Sequence, residues 1–186
     1  CQPSTESNRW YTACADVGLS GVVDEFDAWD GSLWESLPPA FEYDGRGTLH
    51  VTGDGGAMRS LDTWDVRGIS GRLDRDEDCD DHFIVLSDDP AMIWSWASTP
   101  GNMKFVWNCA TKYIYGPTTS ANTSCADYSI YDLDISIDGD TATFTTSPFC
   151  DDVVMTDPLL SSGPLYVYVG ADNDLGTAVW DRIEIR

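Results

Sequence analysis

The residues of this chain with the types and spacing for chemistry are its aspartates and its aromatic rings. Acidic side chains number 32 against 10 basic ones, a formal net charge of −22, and Glu occurs only at positions 6, 25, 35, 42, 77 and 184, so the acid is mostly Asp. Aspartate favours turns and supplies hard oxygen ligands, so two acidic runs read as candidate calcium loops. In Asp172-Asn173-Asp174-Leu175-Gly176 the oxygen ligands fall two residues apart before a glycine, without the later bidentate glutamate of an EF-hand. Asp74, Asp76, Asp78, Asp80 and Asp81 also alternate, and so many unneutralised carboxylates would oppose folding. A solvated acidic loop is the competing reading of both runs.

The aromatic residues suggest a different chemistry. Trp94 and Trp96 flank Ser95 and in a strand would project to one face, with Trp107, Tyr113 and Tyr115 following shortly after. Flat rings stack on the C–H faces of sugars, and carboxylates or amides then take the hydroxyls. Packing inside a sandwich core is the rival explanation for the same rings.

Covalent catalysis finds little support. His50 and His82 are the two histidines, no Ser sits in a nucleophile elbow, and no Gly-rich phosphate loop precedes a Lys. His50 reads as an ordinary strand residue and His82 as a neighbour that neutralises the acidic run. The negative charge would repel a nucleic-acid backbone. No stretch approaches the roughly 20 apolar residues of a membrane span.

Six cysteines without CxxC pairs, beside so few histidines, point to disulfides in an oxidising compartment rather than zinc. The working pairs are Cys1 with Cys14, Cys79 with Cys150, and Cys109 with Cys125, chosen among many connectivities. Cys1 followed by Gln2-Pro3-Ser4-Thr5 also resembles a bacterial lipoprotein start, so a lipid anchor on Cys1 is the alternative to its disulfide. Asn122-Thr123-Ser124 is a glycosylation sequon, meaningful in a glycosylating host.

These residues need elements to position them. A chain of 186 residues, 42% apolar and 12% aromatic, suits one globular domain with a sizeable core. No apolar periodicity of helical length is present; the runs are short and alternating or β-branched. Strands are expected at Thr48–Thr52, within 65–73, at His82–Leu86, Met92–Trp96, Met103–Trp107, Leu165–Val169 and Ala178–Ile185. The clearest pair is Tyr128–Ile137 with Thr141–Thr146 around Asp138-Gly139-Asp140, a hairpin turn that puts Tyr131, Leu133, Ile135 and Ile137 on one face and Asp132, Asp134 and Ser136 on the other.

Several stretches, in order, resemble a known family. They are Val23-Asp24-Glu25-Phe26-Asp27 followed by Gly31-Ser32-Leu33-Trp34, then Gly47–Thr52 with Met58-Arg59-Ser60 as an early hairpin, then Tyr128–Asp138, and finally Trp180-Asp181-Arg182-Ile183-Glu184-Ile185. Together they resemble the concanavalin A-like lectin/glucanase superfamily, closest to laminarinase-type (LamG-like) glycoside hydrolases and their non-catalytic members. The resemblance implies an all-β fold, a disulfide-stapled antiparallel two-sheet jelly roll over residues 23–186, with residues 1–22 as an N-terminal arm tied by a disulfide.

In the hydrolases a strand carries Glu-x-Asp-x-x-Glu, whose alternation sets acid and nucleophile on one face about 5 Å apart. Asp132-Leu133-Asp134 lacks the flanking glutamates, and Asp74–Asp78 is surrounded by charge, so no enzyme is expected. The resemblance also implies a calcium ion joining the first and last strands, which here names Glu25 and Asp181, with Asp24 beside them. Two functions follow. One is an extracellular, calcium-stabilised structural or adhesive surface protein that assembles with copies of itself into a filament or layer. The other is a secreted lectin-like module that binds a polysaccharide. A glycoside hydrolase ranks behind both.

Overall fold

Alternation along Asp132–Asp138 places Leu133, Ile135 and Ile137 in the interior while Asp132, Ser136 and Asp138 are exposed, as the period of a half-buried strand requires. The same rule organises the whole computed structural model, which describes residues 21–35, 39–44, 47–52, 55–74, 81–92, 94–108, 111–125, 132–147, 150–172 and 177–186. The strands are β1 (Val22–Asp24), β2 (Phe41–Tyr43), β3 (Leu49–Thr52), β4 (Gly56–Arg59), β5 (Gly68–Asp74), β6 (Asp81–Ser87), β7 (Asn102–Asn108), β8 (Thr111–Tyr115), β9 (Ser120–Ser124), β10 (Asp132–Asp138), β11 (Thr141–Ser147), β12 (Val153–Thr156), β13 (Tyr166–Asp172) and β14 (Thr177–Ile185). Among the described residues the sole helical element is a 3-10 turn at Pro158–Ser161.

Two antiparallel sheets stack into a sandwich. One has eight strands in the order β12-β11-β10-β5-β14-β3-β2, with β1 also beside β14; the other has six in the order β4-β13-β6-β7-β8-β9. The first and last strands pair, Val22 opposite Ile185 and Asp24 opposite Ile183. The expected hairpin forms between β10 and β11, with Asp138 opposite Thr141 and Gly139 at φ +58°, a conformation that glycine adopts without steric cost.

Three expectations need correction. β3 and β4 do not form a hairpin: β3 pairs with β14 and β2, whereas β4 pairs with β13 in the other sheet. Sequence adjacency suggested a hairpin, but the two strands belong to different layers. Trp94–Trp96 is loop rather than strand, lying in the connection from β6 to β7. The cysteine pairing also differs. Cys125 bonds to Cys150, with Cα atoms 5.1 Å apart, which rules out both Cys109–Cys125 and Cys79–Cys150. The bond joins the end of β9 to the segment before β12, where edge strands of the two sheets meet. Cys1, Cys14, Cys79 and Cys109 lie outside the described residues.

Between the sheets Trp34, Trp180, Phe105, Phe144, Leu49 and Ile69 form the main core, Phe105 meeting Phe144 edge-on at 5.9 Å across the layers. Gly71 lets the Trp180 ring lie so close that a Cβ there would sit 2.9 Å from it. His82 joins this interior, edge-on to Trp180 at 5.4 Å, because its position on β6 alternates inward. Lys112 is also wholly buried: its Nζ donates to the Phe144 carbonyl at 3.2 Å and lies 5.6 Å from the ring centroid.

The opening motif has a local explanation. Asp24 is buried and its carboxylate accepts from the Phe26 N–H at 2.8 Å and from Trp34 Nε1 at 2.7 Å. The first bond holds Phe26 at φ +50°, a left-handed conformation that an L-residue with a side chain adopts at a cost. The second fixes the Trp34 ring inside the core.

Candidate functional site

The outward row of β7 is Asn102, Lys104, Val106 and Asn108, and that of β6 is Asp81, Phe83 and Val85. These side chains point away from the main core, yet Phe83, Val85, Val106 and Tyr168 of β13 are buried in a second apolar cluster on the outer face of the six-stranded sheet. What covers them is the β6–β7 connection, together with Tyr113 and Tyr115 of β8 and Tyr166 of β13.

Lys104 fastens that connection. The side chain is fully buried, and its Nζ donates to the Ser95 and Ala97 carbonyls at 2.8 Å each, to Thr99 Oγ1 at 2.9 Å and to Ser95 Oγ at 3.0 Å. Burial pulls its pKa below the ordinary lysine value. With the loop so held, Trp94 stacks on Phe83 at 3.8 Å and 7°. Both indoles then donate Nε1–H to one oxygen, Asp172 Oδ2, each at 2.7 Å. Two indoles on a single carboxylate oxygen fix both rings.

Trp96 remains 40% exposed and meets Tyr113 and Tyr115 edge-on at 6.5 and 6.4 Å. The two tyrosine rings lie parallel, 5.5 Å apart and 13° from coplanar. Asn122, exposed on β9, stands directly opposite Tyr113. Asp81 stands directly opposite Asp172. The Tyr115 hydroxyl is pushed above the usual tyrosine pKa, first by burial, then by Tyr113 and by the Asp81 charge. The face therefore offers flat rings, an amide and two carboxylates.

Of the rings expected to bind sugar, the structure brings Trp94, Trp96, Tyr113 and Tyr115 together and removes Trp107. Trp107 alternates inward with Met103 and Phe105 and is 5% exposed in the main core, so it is not part of any surface. Lys104, Asn122 and Asp81 escaped the sequence reading as members of this group. A lysine inside the apolar run Met103-Lys104-Phe105-Val106 was the available signal, since a cation there must find oxygen partners.

Asp132 and Asp134 lie on the other sheet, beside a groove of about 340 Å³ that also contains Ser70, Arg72, Thr145 and Arg182. There Asp132 pairs with Arg72 at 3.0 Å and Asp134 with Arg186. Of the expected calcium ligands, Glu25 is exposed, Asp24 is engaged by Phe26 and Trp34, and Asp181 lies 4.0 Å from the Arg72 guanidinium. Among the described residues no three His, Cys, Asp or Glu converge as a metal site. Asp76, Asp78 and Asp174 lie outside the described residues.

No protein-family model and no curated protein matches the sequence. Solved structures do match. The Bacillus licheniformis β-glucanase superposes with a TM-score of 0.67 at 8% identity, over 91% of this chain and 99% of its own. The fold is a concanavalin A-like jelly roll. A β-1,3-1,4-glucanase (lichenase) from a mouse hindgut metagenome shares this jelly roll, with TM-score 0.63 and 11% identity over 90% of this chain and 99% of its own. So does the TRIM65 PSpry domain, at 0.57 and 10% over 80% of this chain and 89% of its own. The jelly roll thus carries proteins of different kinds, and function has to be read from the side chains on its faces.

Proposed function

We propose that this chain is a non-enzymatic, secreted carbohydrate-binding module whose ligand lies across Trp96, Tyr113, Tyr115 and Asn122. The observation that carries this reading is Trp96: a large ring, 40% exposed, yet held rigid by Asp172 and by the loop that Lys104 fastens. A ring fixed in advance loses little freedom on binding, and exposed aromatics with polar groups around them suit the apolar faces and hydroxyl edges of a sugar. Asn122 and the two carboxylates supply the hydrogen-bonding partners. A disulfide at the sheet edges supports an oxidising, extracellular setting. Assembly into a filament or layer would require this face, or another, to be covered by a copy.

Isothermal titration against a panel of soluble polysaccharides tests the proposal. Binding to at least one is expected, and Trp96→Ala should weaken it about tenfold or more, the worth of ~1.4 kcal/mol of stacking, while leaving the melting temperature nearly unchanged. Absence of binding across β-glucans, xylans, mannans and amino-sugar polymers would sink it.

A further inference from the structure

The strip of the aromatic face that lies over β8 and β9 is walled on two adjoining sides. Tyr113 and Tyr115 of β8 have Val106 and Lys104 of β7 as their cross-strand neighbours, and both of these are wholly buried beneath the β6–β7 connection. Trp96 stands at the margin of that roof, edge-on to both tyrosines. The second wall closes the strip at its Tyr115 end. There Ser98 Oγ donates to the Thr119 carbonyl at 2.9 Å, so the connection reaches across to the turn between β8 and β9. The same carbonyl accepts the Gly116 N–H at 2.8 Å, which fixes the turn from its own side. Ser98 is held on both flanks, because the Ala97 carbonyl and the Thr99 hydroxyl each accept from Lys104 Nζ. Toward β9, the outermost strand of its sheet, the row Ser120, Asn122 and Ser124 is exposed.

We infer that this face recognises the end of a glycan chain, its last sugar or two, rather than a stretch of its interior. The inference rests on the glycan-binding reading and specifies which part of a glycan the site takes. Geometry carries it. An interior stretch needs a path that enters on one side and leaves on the opposite one. A chain lying across β8 and β9 comes in over Asn122 and meets the roof at Trp96. One lying along β8 passes Tyr113 and meets the Ser98–Thr119 bridge beyond Tyr115. Both straight courses over the rings stop in the same corner. The two strands together span about 10 Å, a width that one or two sugar rings fill. The walls stand before any ligand arrives: four hydrogen bonds from buried Lys104 and two indole bonds to Asp172 hold them, and a chain passing through would have to break these. A terminal sugar also carries one free hydroxyl more than an interior one, within the chemistry of Ser120 and Asn122 to bind.

The test is titration of the full chain with linear laminari-, cello-, xylo-, manno- and N-acetylchito-oligosaccharides of two to six units. In a series that binds, affinity per mole of oligosaccharide should level off by the trimer, with trimer and hexamer within twofold of each other. Trp96→Ala should weaken every length of that series by the same factor. The parent polysaccharide, shortened in steps by partial hydrolysis, should gain binding sites per gram in proportion to its chain ends. Converting the reducing ends to alditols then tells which end is held, abolishing binding for the reducing end and sparing it for the other. Affinity that climbs more than twofold from trimer to hexamer, or sites per gram that stay constant as the chains shorten, overturns end recognition and leaves glycan binding standing. Binding that Trp96→Ala does not weaken places the site elsewhere and overturns the inference as well. No binding in any series, together with a silent polysaccharide panel, removes both readings.

Discussion

Asp24 carries one carboxylate with two structural obligations, to the strained Phe26 backbone and to the Trp34 indole. Burial raises its pKa above the usual carboxylate value of 3.8, and the hydrogen bonds from Trp34 and Phe26 oppose that rise without cancelling it. The folded protein therefore holds this proton more tightly than the unfolded chain. Stability contributed by the site falls as pH climbs from the unfolded pKa through the folded one, and is level above it. Asp24→Asn removes the charge but leaves a single acceptor for two donors. It should cost about 1–3 kcal/mol in urea unfolding at pH 7 through the donor left unsatisfied. The motif Asp24…Trp34 was legible in sequence as an ordered pair. Its chemistry was not, because an aspartate that bonds an indole and one that binds calcium look alike until the third dimension is known.

At the scale of elements, the β6–β7 connection is held by a lysine on the strand it leads into. Lys104→Met keeps the volume of the aliphatic stem but strips the Ser95 and Ala97 carbonyls and the Thr99 hydroxyl of their donor. The expected loss is about 2–4 kcal/mol in chemical denaturation. A red-shifted tryptophan emission should accompany it, as Trp94 and Trp96 loosen from Asp172. The β10–β11 hairpin was readable because alternation and Asp-Gly agree. Met92–Trp96 misled, because an apolar run that roofs a sheet has the composition of a strand within one. The polar edge strand Ser120–Ser124 carried no alternating apolar signal and exists through its pairing with β8. Strand β2, three residues long, gave too short a pattern to detect and depends likewise on β3.

For the whole molecule, the Cys125–Cys150 bond closes a loop with a sequence separation of 25 and ties the two sheets at one edge. Replacing both cysteines by Ala should lower stability by ~3.5 kcal/mol on loop entropy, read as a lower denaturant midpoint with the fold retained. Which cysteines pair was hidden from the sequence because their proximity arises when the two layers stack. The jelly-roll class itself was visible, since it depends on many strands in a set order rather than on any one contact. The lysines have a practical consequence at this scale. The chain has two, Lys104 and Lys112, and both are fully buried, so every surface cation among the described residues is a guanidinium. Amine-acylating labels and crosslinkers will find no side-chain target on the native protein. Modification of either lysine by such a reagent becomes a direct clock for unfolding, and attachment to a support has to go through the abundant carboxylates.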